Sequence, residues 1–556
     1  MTRHPFFSVR AFVVAACFVP VGSGAMAQSV STFLGGSGAT DLAQTGWTTT
    51  GNWNTSVVPT GTAAWAQINS STATVLRVNY GSSAVGTTGT LTVGAISFLP
   101  TLTVATGSTY EFRNSSGSQR GTLRFYGIDS TVDGVPRRII LDNRTSLGDI
   151  GVSQSSQGQD YELYTSGAIN VAATSSLTLS PLIRDGVGSQ SITKLGQGVL
   201  SFAGVGYAVT TTNNSGSSTY SGGFVLNGGV VQWALSGTAG VGTPFGLGPL
   251  TLRSGTLRST TASGRSINTS VILDGTATLG STDSGLTGNI TVNSASGSLA
   301  TTIASDSVVT IVTGGSTAWN QSTSGTGSLT KSGAGILRFT GAGGSLNHTG
   351  ETIVQSGTMM INANLASASA VSVLSGATLF GSGTIAGSAT TLSGAVLSPG
   401  ASAGTPGVLT FGNSLALGGQ TLLELTGTTR GALYDAFDVT GGLTYGGDLQ
   451  LQFSGTLPEG TYSLFGGFSS QGGAFSSITA AGGYVGSLSE TAGVWTGTFG
   501  SQTLTFSNAT GDLVIVPEPA SLIAAGLGAA IAIGGIVRRL RRIVRPAATT
   551  DMRHRG

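Results

Sequence analysis

After Cys17 the chain contains no cysteine. Disulfides and cysteine-ligated metals are therefore excluded from nearly its whole length. Lysine is almost missing as well, with only Lys194 and Lys331 in 556 residues. Histidine occurs three times, at His4, His348 and His554, which leaves metal clusters and Ser-His-Asp triads little to draw on. Charged residues make up 8% of the chain while hydrophobic ones reach 39%. That balance is the reverse of a disordered chain, which combines low hydrophobicity with high charge. Between Gln28 and Ile515 no stretch of 12 or more residues shows helical amphipathic spacing.

What the chain has in abundance is glycine, 90 residues, with serine and threonine filling most remaining positions. Short runs alternate apolar and polar residues, as in Leu91-Thr92-Val93, Leu177-Thr178-Leu179, Leu250-Thr251-Leu252, Val271-Ile272-Leu273 and Leu422-Leu423-Glu424-Leu425. Period-two patterning punctuated by Gly, Asn and Ser predicts an all-β body of many short strands.

The two ends differ from this body. Arg3 and Arg10, then the apolar run Ala11 to Val21, then Ala25-Met26-Ala27 before Gln28 have the layout of a secretory signal peptide. Val14-Ala15-Ala16-Cys17 offers a competing lipobox, with a short apolar run ahead of it. At the other end, Pro517-Glu518-Pro519 fixes an extended, non-helical break. The uncharged run Ala520 to Val537 follows, 18 residues that span roughly 27 Å as a helix, enough for a bilayer core. Arg538, Arg539, Arg541, Arg542 and Arg545 then form a cluster that the positive-inside rule keeps in the cytoplasm. Charge follows the same division. Residues 28–516 hold 15 Lys plus Arg against 20 Asp plus Glu, while the segment after Val537 holds seven Arg and Asp551. The basic balance of the whole chain therefore belongs to its tail, and the exported part gives no support for nucleic-acid binding.

Internal repetition organises the body. Ile192-Thr193-Lys194-Leu195-Gly196-Gln197-Gly198-Val199-Leu200-Ser201-Phe202 matches Leu329-Thr330-Lys331-Ser332-Gly333-Ala334-Gly335-Ile336-Leu337-Arg338-Phe339. A second half follows each: Thr219 to Val230 in one copy, Asn347 to Thr358 in the other, with a nine-residue insertion in the first spacer. Both lysines occupy the same motif position. This pattern resembles the autotransporter-associated β-strand repeat, over about residues 190–455. Gly246 to Leu252, Leu397 to Gly404 and Tyr434-Asp435-Ala436-Phe437-Asp438-Val439 are similar to that family's flanking segments. The resemblance implies a right-handed parallel β-helix, a solenoid with about 22 residues per coil. Its interior is expected to hold Leu200, Phe202, Val225, Leu337, Phe339 and Ile353, with both lysines covering a strand edge or pairing locally.

The order Val516-Pro517-Glu518-Pro519-Ala520-Ser521, apolar run, arginine cluster closely resembles the PEP-CTERM sorting signal of Gram-negative and related bacteria. It departs from that family in the 14 residues, Ile543 to Gly556, that follow the arginines. The resemblance implies that Pro517, Glu518 and Pro519 are read by a membrane processing enzyme, an exosortase. The helix and Arg538, Arg539, Arg541 and Arg542 would hold them at the membrane surface. The expected layout is a signal peptide (1–27, cleaved between Ala25-Met26-Ala27 and Gln28) and an N-terminal cap with the first coils (28–150). A β-helix follows (151–455, motif copies about 192–231 and 329–361), then a C-terminal β-region (456–515), the sorting signal with one transmembrane helix (516–542) and a cytoplasmic tail (543–556).

Other constellations carry less. Trp47, Trp53 and Trp65 crowd the N-terminal region and suit a cap over the first coil, or alternatively a sugar-stacking surface. Mixed charges between Glu111 and Asp149 suit a solvated face with local ion pairs. Gly400-Ala401-Ser402-Ala403-Gly404 matches a nucleophile elbow, but composition alone generates such matches and no helix pattern follows. Asp435 and Asp438 are a weak calcium candidate. No catalytic residue, metal or cofactor is expected. The expected product is an exported structural or adhesive protein of the cell surface or extracellular matrix, anchored in the inner membrane before processing. Exopolysaccharide is its candidate partner. The competing function is a β-helix polysaccharide lyase or glycosidase, which needs clustered carboxylates; Ser307 to Gly350 contains none.

Overall fold

Short alternating runs cannot pair with their sequence neighbours when glycine corners turn the chain away, so each finds its partner one repeat later. The structure, a computed structural model, describes residues 159–518 except 180–181, 203–217, 237–242, 294–298, 313, 341–344, 367–368 and 403. Before residue 159 it describes Tyr126 and the strand segments between 29 and 154. All regular elements among these residues are strands. No helix among them is long and apolar enough to cross a membrane; the predicted helix 520–537 lies outside the described residues.

Ile290 pairs in parallel with Thr317, Thr317 with Leu337, Leu337 with Met359, Met359 with Leu379, and Leu379 with Leu397. Along this ladder the steps run from 18 residues, Leu379 to Leu397, to 29, Leu449 to Ile478. Two further parallel ladders run beside it, and the chain visits the three in turn. Ser322–Ser324 lies in ladder I, Leu329–Ser332 in ladder II and Ile336–Phe339 in ladder III. Leu346 then returns to ladder I, Thr352–Val354 to ladder II and Gly357–Ile361 to ladder III. The molecule is thus all-β with long parallel sheets, an arrangement compatible with the expected solenoid.

Strand alternation decides the core. Ile290–Val292, Thr352–Val354 and Val371–Val373 each bury their first and third residues and leave the middle one partly exposed. One continuous cluster of buried apolar side chains extends from Ala66 to Ile515. Leu200, Phe202, Leu337 and Phe339 belong to it as expected. Val225 and Ile353 do not: Phe224 and Leu226, and Thr352 and Val354, face inward in their place. Both parities of these strands carry plausible β formers, so period two gave the spacing without the side.

Two departures from parallel pairing cover surfaces the ladders would leave bare. Ile128–Val132 and Val135–Asn143 form an antiparallel hairpin within the charged region. Ile139, with Val132 beside it, packs on Ala168 and Leu195, so Gly167–Val171 is buried on both faces. Arg137 and Arg138 remain exposed. At the C-terminal end the last ladder III strand, Ser477–Gly482, pairs antiparallel with Gly486–Thr491. Val494–Phe499, Gln502–Ser507, Asp512–Pro517 and Gly460–Ser463 continue this antiparallel sheet. Tyr445, Phe465, Phe475 and Phe506 meet beneath it, with ring centroids 5.1–6.1 Å apart. The sheet is a cap, and these rings seal the end of the core.

Because stacked repeats depend chiefly on their neighbours, damage to this seal should stay local. Phe506→Ala is expected to cost about 3–5 kcal/mol, read as faster amide hydrogen exchange over residues 442–515. Exchange over residues 290–361 should be unchanged.

Candidate functional site

The two lysines are the repeat's most distinctive residues; of their two expected roles the structure overturns the strand edge and keeps the local pairing. Both lysines are fully buried. Lys194 pairs in register with Leu226 and Lys331 with Val354, which fixes both side chains on the inward parity. Lys194 Nζ donates to the carbonyls of Leu195 (2.8 Å), Gly196 (2.8 Å) and Gly228 (3.3 Å). Lys331 Nζ donates to those of Gly333 (2.5 Å) and Ser356 (2.8 Å). In the repeat alignment Gly196 corresponds to Gly333 and Gly228 to Ser356, so both copies make the same clasp. Each ammonium ties the glycine corner of its own pass to the corner one pass later.

This clasp explains the glycines around it. Gly229 and Gly357 follow the clasped carbonyls with φ of +67° and +65°. A Cβ on Gly357 would lie 2.3 Å from the Gly333 oxygen and 2.5 Å from Lys331 Nζ; on Gly229 it would lie 2.5 Å from the Gly196 oxygen. Burial pushes the Lys194 ammonium down to about 7 and that of Lys331 to about 8. The ring of carbonyl acceptors works in the opposite direction by favouring the charged form. Three acceptors around Lys194 match the three donors of an ammonium, whereas a neutral amine has two. Among the described residues the acceptors of both ammoniums are backbone carbonyls.

The repeat halves also place Tyr220 and His348 at equivalent positions, both fully buried. His348 Nδ1 lies 3.0 Å from Thr323 Oγ1 and Nε2 lies 2.9 Å from Thr352 Oγ1. Thr352 stands where the first copy has Phe224, so two polar side chains stand where the first copy has two aromatic ones. Burial lowers the imidazole to about 4, leaving it neutral at physiological pH.

The remaining sequence candidates separate. Gly400-Ala401-Ser402 is a tight turn in which Ser402 Oγ meets Thr405 Oγ1 at 2.8 Å. His348, the one histidine among the described residues, bonds to its threonines. Asp435 and Asp438, considered for calcium, point to different tasks. Asp435 is buried and accepts from the N–H groups of Gly407 (2.7 Å) and Glu424 (2.8 Å). Asp438 binds Arg430 at 2.8 Å. Burial pushes the Asp435 carboxyl up to about 7, against the pull of its two amide bonds, while Glu424 adds to the rise. Glu424 itself accepts from the Gly404 N–H at 2.8 Å. The acidic residues thus staple the 400–407 turn to the strands around it. Among the described residues no three His, Cys, Asp or Glu side chains gather as a metal site.

Of the predicted sorting residues, Pro517 ends the last cap strand and Glu518 follows it, its N–H donating to the Ser501 carbonyl at 2.8 Å. Pro519, Arg538, Arg539, Arg541 and Arg542 lie outside the described residues, as do Ala25, Ala27, Gln28, Trp47 and Trp53. Trp65 sits in the strand Ala64–Ile68, in register with Ala95. Sequence reasoning missed the inward clasp and the Asp435 staple. The signal for the first was present, since two lone lysines beside Gly-x-Gly corners call for a backbone partner. Comparison with known protein families and with curated proteins finds no match.

Lys194→Met should leave buried carbonyls without a donor and cost about 2–4 kcal/mol. The check is faster hydrogen exchange at the 195–199 and 226–230 corners. His348 should make stability pH-dependent. As pH falls below 6.5 the unfolded chain takes up a proton that the folded one refuses until about 4. The contribution of His348 is full above 6.5 and drops toward pH 4 by up to about 3 kcal/mol. In urea titrations from pH 7 to 4, His348→Gln should flatten this part of the profile relative to the unmodified protein.

Proposed function

We propose that the protein is an exported structural or adhesive rod of the cell surface or extracellular matrix, a right-handed parallel β-helix sorted through its C-terminal Pro-Glu-Pro signal. The observation that carries the reading is the junction at Pro517. There the antiparallel cap that closes the parallel ladders runs straight into the motif, so the rod ends where the sorting segment begins. Ladder I steps from Ser29–Phe33 to Phe465–Gly466. At one strand spacing per step this stack reaches roughly 80 Å. A rod of that length, held by a helix at 520–537 until an exosortase-type enzyme processes it, would display its body well away from the membrane. Exopolysaccharide is the partner in keeping with such a matrix role.

The buried chemistry supports a scaffold. Lysines, His348 and Asp435 all spend their polar groups on the protein's own backbone or threonines. The test is the intact mass and cell fraction of the protein from its native host. A species starting at Gln28, ending near Pro-Glu-Pro and found outside the cytoplasmic membrane is expected. Retention of Gly556 in the inner membrane would reduce the C-terminus to an anchor. Release of oligosaccharides from purified exopolysaccharide by the mature protein would replace the scaffold with a glycan-cleaving enzyme.

A further inference from the structure

The sorting motif is not on a free tail. The strand Asp512–Pro517 lies between two others in the cap. Toward Gly460–Ser463 its pairing stops at Ile515, which faces Gly460. Toward Gln502–Ser507 it continues through Val516, opposite Thr503, and Pro517, opposite Gln502. The Glu518 N–H then reaches the Ser501 carbonyl. Antiparallel pairs alternate between bonded and non-bonded positions. A bonded Glu518–Ser501 pair makes Val516–Thr503 bonded and Pro517–Gln502 non-bonded. The proline therefore sits where its missing N–H costs this ladder nothing.

A peptide-processing enzyme commonly grips extended chain through backbone bonds along a strand edge. For Val516 to Glu518 one edge is already occupied by the Ser501–Thr503 backbone. The other edge offers the Pro517 carbonyl, because the polar groups of Val516 and the Glu518 N–H face the cap. We infer that the cap masks its own sorting motif, and that Pro517 and Glu518 become readable only when Val516 to Glu518 peel from Ser501–Thr503. This rests on the proposed role of Pro-Glu-Pro as a processing signal.

The structure suits a short, self-limiting opening. Val516 is 40% exposed, and among the described residues this segment is paired on one side only. Leu513 and Ile515 are fully buried and paired on both sides, so the opening stops at Ile515. The strand left behind stays anchored: the Gln502 side chain accepts from the Tyr484 hydroxyl at 2.7 Å and donates to the Leu457 carbonyl at 3.1 Å.

The test locks the strand in the full-length protein in its native host. Thr503→Cys with Val516→Cys puts cysteines on register partners within disulfide reach, and no other cysteine follows Cys17. The oxidised exported protein should retain Gly556, with processing at least tenfold slower, and a thiol reductant should restore it. Val516→Cys alone should be processed as the unmodified chain is. A second variant inserts six Gly and Ser residues between Val516 and Pro517, which frees the motif and leaves the cap pairing through Val516 in place. It should be processed as fast as the parent or faster. Unimpaired processing of the oxidised double variant, or slowed processing of the insertion variant, would overturn the masking. Pro517→Ala with Glu518→Ala separates the two ideas: normal processing of that variant would sink the sorting role itself, whatever the lock does.

Discussion

A strand in a parallel ladder takes its backbone hydrogen bonds from the strands above and below it, and from nothing else. Every other feature of this molecule answers to that requirement. It demands that the chain come back to the same ladder after each pass, at matching register, so that Leu337 meets Met359 and Met359 meets Leu379. It demands corners sharp enough to redirect the backbone between passes, hence the glycine. It also leaves the final strand with one edge unpaired, an invitation to aggregation. The antiparallel cap answers that last demand by turning Ser477–Gly482 into the first strand of a meander.

Corners are the costly places, because the turning backbone aims carbonyls inward where water cannot reach them. The lysine clasp shows one solution, and its placement shows how general it is. Lys194 lies in ladder I and its companion strand Val199–Phe202 in ladder II. Lys331 lies in ladder II and Ile336–Phe339 in ladder III. The same motif has moved one face around the stack with its bonds intact. The repeat is therefore a unit of corner chemistry that two different pairs of adjacent ladders host.

Much of this was legible in the sequence. Alternation gave the strands, glycine the corners, and the paired motifs a fold with long parallel sheets. What alternation could not give was its own phase wherever both parities carried acceptable residues. Val225 and Ile353 looked like core, yet Phe224 with Leu226 and Thr352 with Val354 hold that side. Thr352 disguises the inward parity because it is polar, and only His348 across the corner makes it affordable there. The lysines misled for a related reason. Lysine is almost never buried without partners, and here the partners are backbone carbonyls, which the sequence marks only through the Gly-x-Gly corner beside each lysine. The antiparallel hairpin at 128–143 and the cap were hidden because an antiparallel strand in this composition reads like a parallel one.

The change from parallel to antiparallel pairing at the C-terminal end has a consequence beyond closing the core. In the ladders each strand leaves through a corner and returns a pass later, so no strand end is free. In the cap the chain doubles back on itself, and its final strand must leave the sheet at a rim. The rim it uses lies beyond the reach of Gly460–Ser463, so the departing residues Val516 to Glu518 are held by one neighbour instead of two. A proline there is compatible with the sheet only at a non-bonded position, and Pro517 occupies one. Fold and exit are thus joined without a spacer: the residues that finish the cap are the residues with which the Pro-Glu-Pro segment begins.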